Sequence, residues 1–175
     1  MKPALKDQYY LLKFLVTSAF FFFIGTVHGV LQVIHPIRIW LDSIGSPYGG
    51  PGHMIDPLAH AHINVVGGVV ILLMASTYFM LTSISGRPIH SVRMVNHSFW
   101  WTALGVCGFY TALLVFGIWE GNLMLAGATA RQAEVHHMYT YIIATVSTIM
   151  GVGFWVFFAN VFITIREIYK TGHDT

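Results

Sequence analysis

The chain has 175 residues, of which 55% are hydrophobic, 15% aromatic and only 9% charged, with a formal net charge of +2. A mean hydropathy of +0.66 marks an integral membrane protein, with room for four spans of about 20 residues and little left for a soluble domain. The few Lys and Arg are dispersed, which argues against a nucleic-acid partner, and the single cysteine, Cys107, excludes an internal disulfide and a CxxCH haem-attachment motif.

The first apolar segment runs over about 10–34. It is too long for a signal-peptide core, carries Lys13 and lacks a small-residue cleavage site, so it reads as a true span. Pro36, the glycine-bearing stretch around Gly45 to Gly52 and Pro57 then predict a substantial loop. Three further spans follow at about 58–81, 95–118 and 138–165, the first two joined by a short turn containing Gly86-Arg87-Pro88. The expected fold is an all-α, integral membrane four-helix bundle, one transmembrane domain over residues 1–175.

Basic residues set the expected orientation. Lys2, Lys6, Lys13, Arg87, Arg93, Arg166 and Lys170 fall on the side of the termini, and only Arg38 and Arg131 on the other. The positive-inside rule then places both termini in the cytoplasm of a cell with a multi-pass inner-membrane protein and a periplasmic outer face. Asp42, Asp56, Glu120 and Glu134 lie in the outer connections, where Glu120 and Glu134 are expected to be solvated loop charges.

Histidine placement is the strongest pointer to chemistry. His28 lies roughly 9–10 Å inward from the outer end of the first span, His60 and His62 occupy the first turns of the second, and His136 and His137 open the fourth. All are expected at one depth near the outer face. An imidazole in hydrocarbon is costly unless paired, hydrated or metal-bound, and a low-spin haem iron takes two axial imidazoles, usually from different helices at matching depth.

His28, His60, His62, His136 and His137 are therefore the candidate cofactor-binding residues, and a haem b the expected cofactor. The preferred axial set is drawn from His28, His62 and His137, with His60 and His136 as alternatives or propionate partners. His60 and His62 sit about 200° apart around a helix, so they do not serve one iron together. His35 and His53 fall by the loop, and His90 and His97 lie towards the cytoplasmic side, which leaves a second stacked haem without ligands. A lone interfacial histidine more often bonds water or a carbonyl, and the Gly25-x-x-x-Gly29 motif beside His28 more often serves helix packing. Phe20 to Phe23 and Trp100-Trp101 read as lipid-facing aromatics.

From Asp56 onward the chain resembles part of subunit I of the cbb-type haem-copper oxidases and the related nitric oxide reductases, most simply its last three helices. The resemblance is carried by Ala59-His60-Ala61-His62 followed by Gly67-Gly68, the segment from Ser91 to Trp100, Gly117-x-x-x-Gly121 and Glu134-Val135-His136-His137-Met138-Tyr139. It implies that the H-x-H pair, matched by His60 and His62, supplies iron ligands on opposite sides of one helix. It also implies that the chain is not a complete oxidase, because that family's other metal ligands come from earlier helices. His28, in a helix outside the match, and His136-His137 depart from the pattern; if one haem is kept, His28 or His137 replaces the missing axial partner.

Three functions follow as expectations. The first is a haem b electron-transfer subunit of a respiratory oxidoreductase complex, passing electrons between a periplasmic cytochrome c or dehydrogenase and larger membrane oxidoreductase subunits. The second is a haem-free accessory subunit packed on an oxidase-like core, its histidines binding water, a divalent cation or the neighbour's cofactor. The third is a quinone-reactive cytochrome b anchor. No nucleophile-base arrangement, phosphate loop or cysteine-rich metal motif points to an isolated enzyme.

Overall fold

The computed structural model describes residues 5–172, which are helical almost throughout and contain no strand. A 3-10 turn, Leu5–Leu11, leads into α1, Leu12–Val33. A short helix α2, His35–Ser43, follows, then α3, Gly50–Ser85; α4, Val92–Leu125; and α5, Thr129–Gly172. Among the described residues, four segments are long and apolar enough to cross a membrane: Gln8–Val33, Gly50–Ser85, Val92–Leu125 and Thr129–Lys170. The all-α expectation with four apolar segments long enough to span holds among the described residues.

Two connections differ from the sequence expectation. The loop after the first span contains α2: Ile34 turns extended at φ −65°, ψ 124°, and Pro36 in the first turn of α2 loses no helical hydrogen bond. Ile37, Trp40 and Leu41 pack inward with Ile44 and Ile55, while Arg38 and Asp42 pair on another face of α2. The predicted loop between the third and fourth spans is mostly helix. The polar residues around Gly121 and Arg131 include no proline, so both helices continue until Gly127, in the left-handed region at φ +68°, makes the turn.

Helix α3 is not uniform. Asp56 has non-helical φ −128°, ψ 112°, and Pro57 restarts the helix. Backbone bonding widens to a π-type pattern in Met54–Ala59 and again in Ile63–Val70, on either side of His60 and His62.

The main core lies between α1, α3 and α4, where Phe14, Phe21, Ile63, Ile71, Tyr78 and Val95 are buried. Small residues set the close approaches. A Cβ on Gly67 would lie 2.9 Å from Phe21 Cγ, and Ser18 Oγ donates to the Gly68 carbonyl at 2.8 Å. Helix α5 lies along α4, where a Cβ on Gly105 would stand 2.6 Å from Met150 Cα. Its far end is tied to the α3–α4 turn: Asn160 Nδ2 donates to the Ser91 carbonyl at 3.0 Å, and Thr164 Oγ1 accepts from His90 N at 3.1 Å. In the most apolar stretch of α5 only 6% of the residues are buried, against 44% in that of α4, so this stretch of α5 is left to lipid or to another protein.

Candidate functional site

The α1–α3 crossing brings two of the candidate histidines together. Gly25 and Gly29 leave room on α1 for α3 side chains: a Cβ on Gly29 would lie 2.6 Å from His60 Cε1, and one on Gly25 would collide with Asn64. The pair therefore serves close packing, with His60 and Asn64 as what it admits. The His28 and His60 rings meet edge to face with centroids 5.6 Å apart, and Tyr110 of α4 stands at the same distance from His28. His28 is buried, its Nε2 3.0 Å from Gln32 Nε2 and its Nδ1 3.1 Å from Tyr110 Oη. Asn64 Nδ2 lies 3.4 Å from His60 Nε2, and His60 Nδ1 is buried without a hydrogen-bond partner.

His62 points the other way. Its Nδ1 donates to the Leu58 carbonyl at 2.9 Å, and its ring lies 4.4 Å from that of Phe109 of α4 at an interplanar angle of 30°. A carbonyl only accepts, so the proton sits on Nδ1 and Nε2 keeps its lone pair, the form in which histidine ligates metal. The angular split expected of His60 and His62 is present: one faces α1, the other α4.

His136 and His137 do not open α5 but lie about two turns inside it. His136 Nδ1 is 3.0 and 3.2 Å from the two carboxylate oxygens of Glu120. His137 is exposed, its ring centroid 5.0 Å from that of Tyr141. The expectation of a common depth is corrected accordingly. His28 and His62 both contact α4 at the Tyr110–Phe109 level, whereas the α4 partner of His136 is Glu120. From Tyr110 to Glu120 is about 15 Å at ~1.5 Å per residue. Two imidazoles on one iron hold their ligating nitrogens on the order of 4 Å apart, twice a metal–nitrogen bond. Along α4, the partner of His136 therefore stands well away from the partners of His28 and His62.

Glu120 also departs from expectation. It is 4% exposed, not a solvated loop charge, because α4 continues past Gly117 and Gly121, on which Ile55 and Ile44 pack. Glu134 is exposed and bonded to Arg131 at 3.2 Å, as expected of a surface charge.

A clamp that was not singled out in the sequence holds α2 to the break in α3. Arg38 donates through Nε to Asp42 at 2.9 Å, through Nη1 to Asp56 at 2.6 Å and through Nη2 to Ser46 at 2.8 Å. Its bonds to Asp42 first, then to Asp56, hold the guanidinium pKa above its ordinary value. The readable signal was the i,i+4 spacing of Arg38 and Asp42; the contact to Asp56 is tertiary. The clamp fixes the break in α3 just before Leu58, whose carbonyl orients His62.

Among the described residues no group of three or more His, Cys, Asp or Glu side chains is placed to hold a metal ion. A haem asks for less, since the macrocycle fills four positions and the protein one or two. His62 would suit such a position by tautomer and by its unengaged Nε2; among the described residues no other histidine contacts its ring.

No family model matches the chain. Over 118 residues, 66% of its length, it is 25% identical to the cbb3-type cytochrome c oxidase subunit CcoN1 of Stutzerimonas stutzeri. The chain spans about a quarter of that relative, 23%. This similarity agrees with the resemblance to haem-copper oxidase subunit I carried by the motifs and extends no further than that relationship.

Proposed function

We propose that the chain is a membrane subunit of a respiratory oxidoreductase complex that binds a haem b through His62, with the second axial ligand coming from another subunit. The observation that carries this reading is the state of His62: one ring nitrogen spent on the Leu58 carbonyl, the other carrying a lone pair and bonded to nothing among the described residues. Phe109 against the ring holds its plane, and the Arg38 clamp fixes the backbone from which Leu58 acts. When bound, the haem supplies one-electron transfer, and the protein supplies ligand, burial and orientation. Larger membrane oxidoreductase subunits are the partners, with a periplasmic cytochrome c or dehydrogenase as the electron donor or acceptor. Both termini lie in the cytoplasm on the positive-inside argument, which puts His62 nearer the outer face of the inner membrane. A reduced-minus-oxidised spectrum with a pyridine haemochrome assay, on the chain and on its intact complex, tests the reading. Haem b assigned to this subunit supports it; its absence from both preparations overturns it.

A second reading has its own support. His28 and His136 are satisfied by protein groups, and the exposed flank of α5 offers a long face to a larger core. A haem-free accessory subunit would use both features, with its remaining histidines bonding water or a divalent cation. The same spectra separate the two.

A further inference from the structure

Beside the histidine pair, a cleft of about 340 Å³ opens between α1, α2 and α4. It falls within the ~300–1,000 Å³ range of small-molecule sites. Its walls are apolar and partly aromatic, including Phe23, Leu31, Trp40 and Ile118, and Phe23 (66% exposed) and Ile118 (46%) stand at its membrane-facing rim. His28, Gln32 and Tyr110 are the polar residues on the wall.

Hydrogen-bond bookkeeping assigns each of these polar groups a direction. Gln32 Nε2 reaches the Ile55 carbonyl at 3.3 Å and His28 Nε2 at 3.0 Å. The carbonyl accepts only, so this atom is the amide nitrogen and donates to both. His28 Nε2 is then an acceptor, and the ring proton sits on Nδ1, where it is donated to Tyr110 Oη at 3.1 Å. Tyr110 accepts in that bond, so its own O–H hydrogen is unspent and no acceptor for it stands among the described residues. An oriented chain of donors ends on a phenol at the wall of an apolar cleft that opens sideways into the span.

We infer that this cleft binds the head group of a membrane quinone, with a ring carbonyl accepting the Tyr110 hydroxyl hydrogen. A quinone has the three matching properties: it is membrane-soluble, planar enough to lie against Phe23 and Trp40, and equipped with acceptor oxygens but no ring donor. A lipid acyl chain matches the apolar walls and leaves the hydroxyl unpaired, which is costly away from water. The site uses no iron, so it stands or falls separately from haem binding at His62.

The test uses the full chain in nanodiscs of synthetic, quinone-free phospholipid, photolabelled with an azido-ubiquinone and competed with decylubiquinone. The expected labels fall on peptides bearing Trp40 and Tyr110, and decylubiquinone displaces them. Tyr110→Phe, which keeps the ring and removes the donor, weakens displacement about 3- to 10-fold, the worth of one hydrogen bond. Ile118→Trp, at the exposed rim, blocks the cleft and abolishes competable labelling whether or not Tyr110→Phe folds. Label scattered over the lipid-facing surface, displacement by palmitic acid as effective as by decylubiquinone, or unchanged labelling in Ile118→Trp would each overturn the assignment.

Discussion

His136 and Glu120 make a contact whose loss is expected to be visible in stability. Glu120 is nearly sealed, with a side chain 5% exposed, while His136 at 59% leans over it from α5. His136 has one hydrogen at Nδ1, shared between carboxylate oxygens at 3.0 and 3.2 Å, so the pair amounts to one charge-assisted bond. Such a bond is worth about 1.5–3 kcal/mol when dry, and the exposure of His136 brings this to about 1–2 kcal/mol. His136→Ala leaves a buried carboxylate without that donor and is expected to lower the melting midpoint in detergent by roughly 2–8 °C, at about 2–4 °C per kcal/mol for a chain of this size. In the His136→Ala background, Glu120→Leu removes the stranded carboxylate and is expected to recover part of the loss. A His136→Ala midpoint within 1 °C of wild type, or a double variant worse than the sum of the singles, would refute the reasoning.

Three further outcomes follow from the geometry. Gly105→Ala sets a methyl 2.6 Å from the Met150 backbone, so α5 must shift; a loss of about 1–3 kcal/mol is expected in thermal or denaturant unfolding. Gly151→Ala has only the Trp155 ring edge at 3.9 Å and is expected to be neutral or to gain up to about 1 kcal/mol from helix propensity; equal effects of the two glycine variants would count against the α4–α5 contact. Arg38→Gln is expected to cost about 1–2 kcal/mol by loosening α2 from Asp56. Because the folded-state pKa of Arg38 is raised, its contribution is fully present below the ordinary guanidinium value and is lost only as pH rises through the folded value. The melting difference between Arg38→Gln and wild type should therefore be the same at pH 7 and pH 10.

The spans were legible because hydropathy and length act locally, and the divergence of His60 and His62 followed from 3.6 residues per turn alone. What stayed hidden depended on continuation and on contact. Polar residues from Glu120 to Glu134 look like a loop by composition, yet helix needs only the absence of a breaker, and that absence carried His136 and Glu120 away from the depth of His28. His28 and Gln32 stand one helical turn apart and were readable as a pair. Tyr110 was not, since one tyrosine in an apolar helix acquires meaning only when α1 is packed against it. The Arg38–Asp56 bond was hidden for the same reason, with the α2 to α3 turn closing a contact across which composition carries no signal.

The claim that His62 is this subunit's haem ligand has one direct measurement. In the intact complex, electron paramagnetic resonance of the oxidised haem is recorded for wild type, His62→Ala and His137→Ala. The account predicts that His62→Ala loses the low-spin signal or the haem itself, while His137→Ala keeps the wild-type spectrum because His137 is exposed beside His136, whose partner Glu120 stands about 16 Å along α4 from Phe109, the partner of His62. A low-spin signal retained in His62→Ala, or lost in His137→Ala with His62 intact, would contradict it.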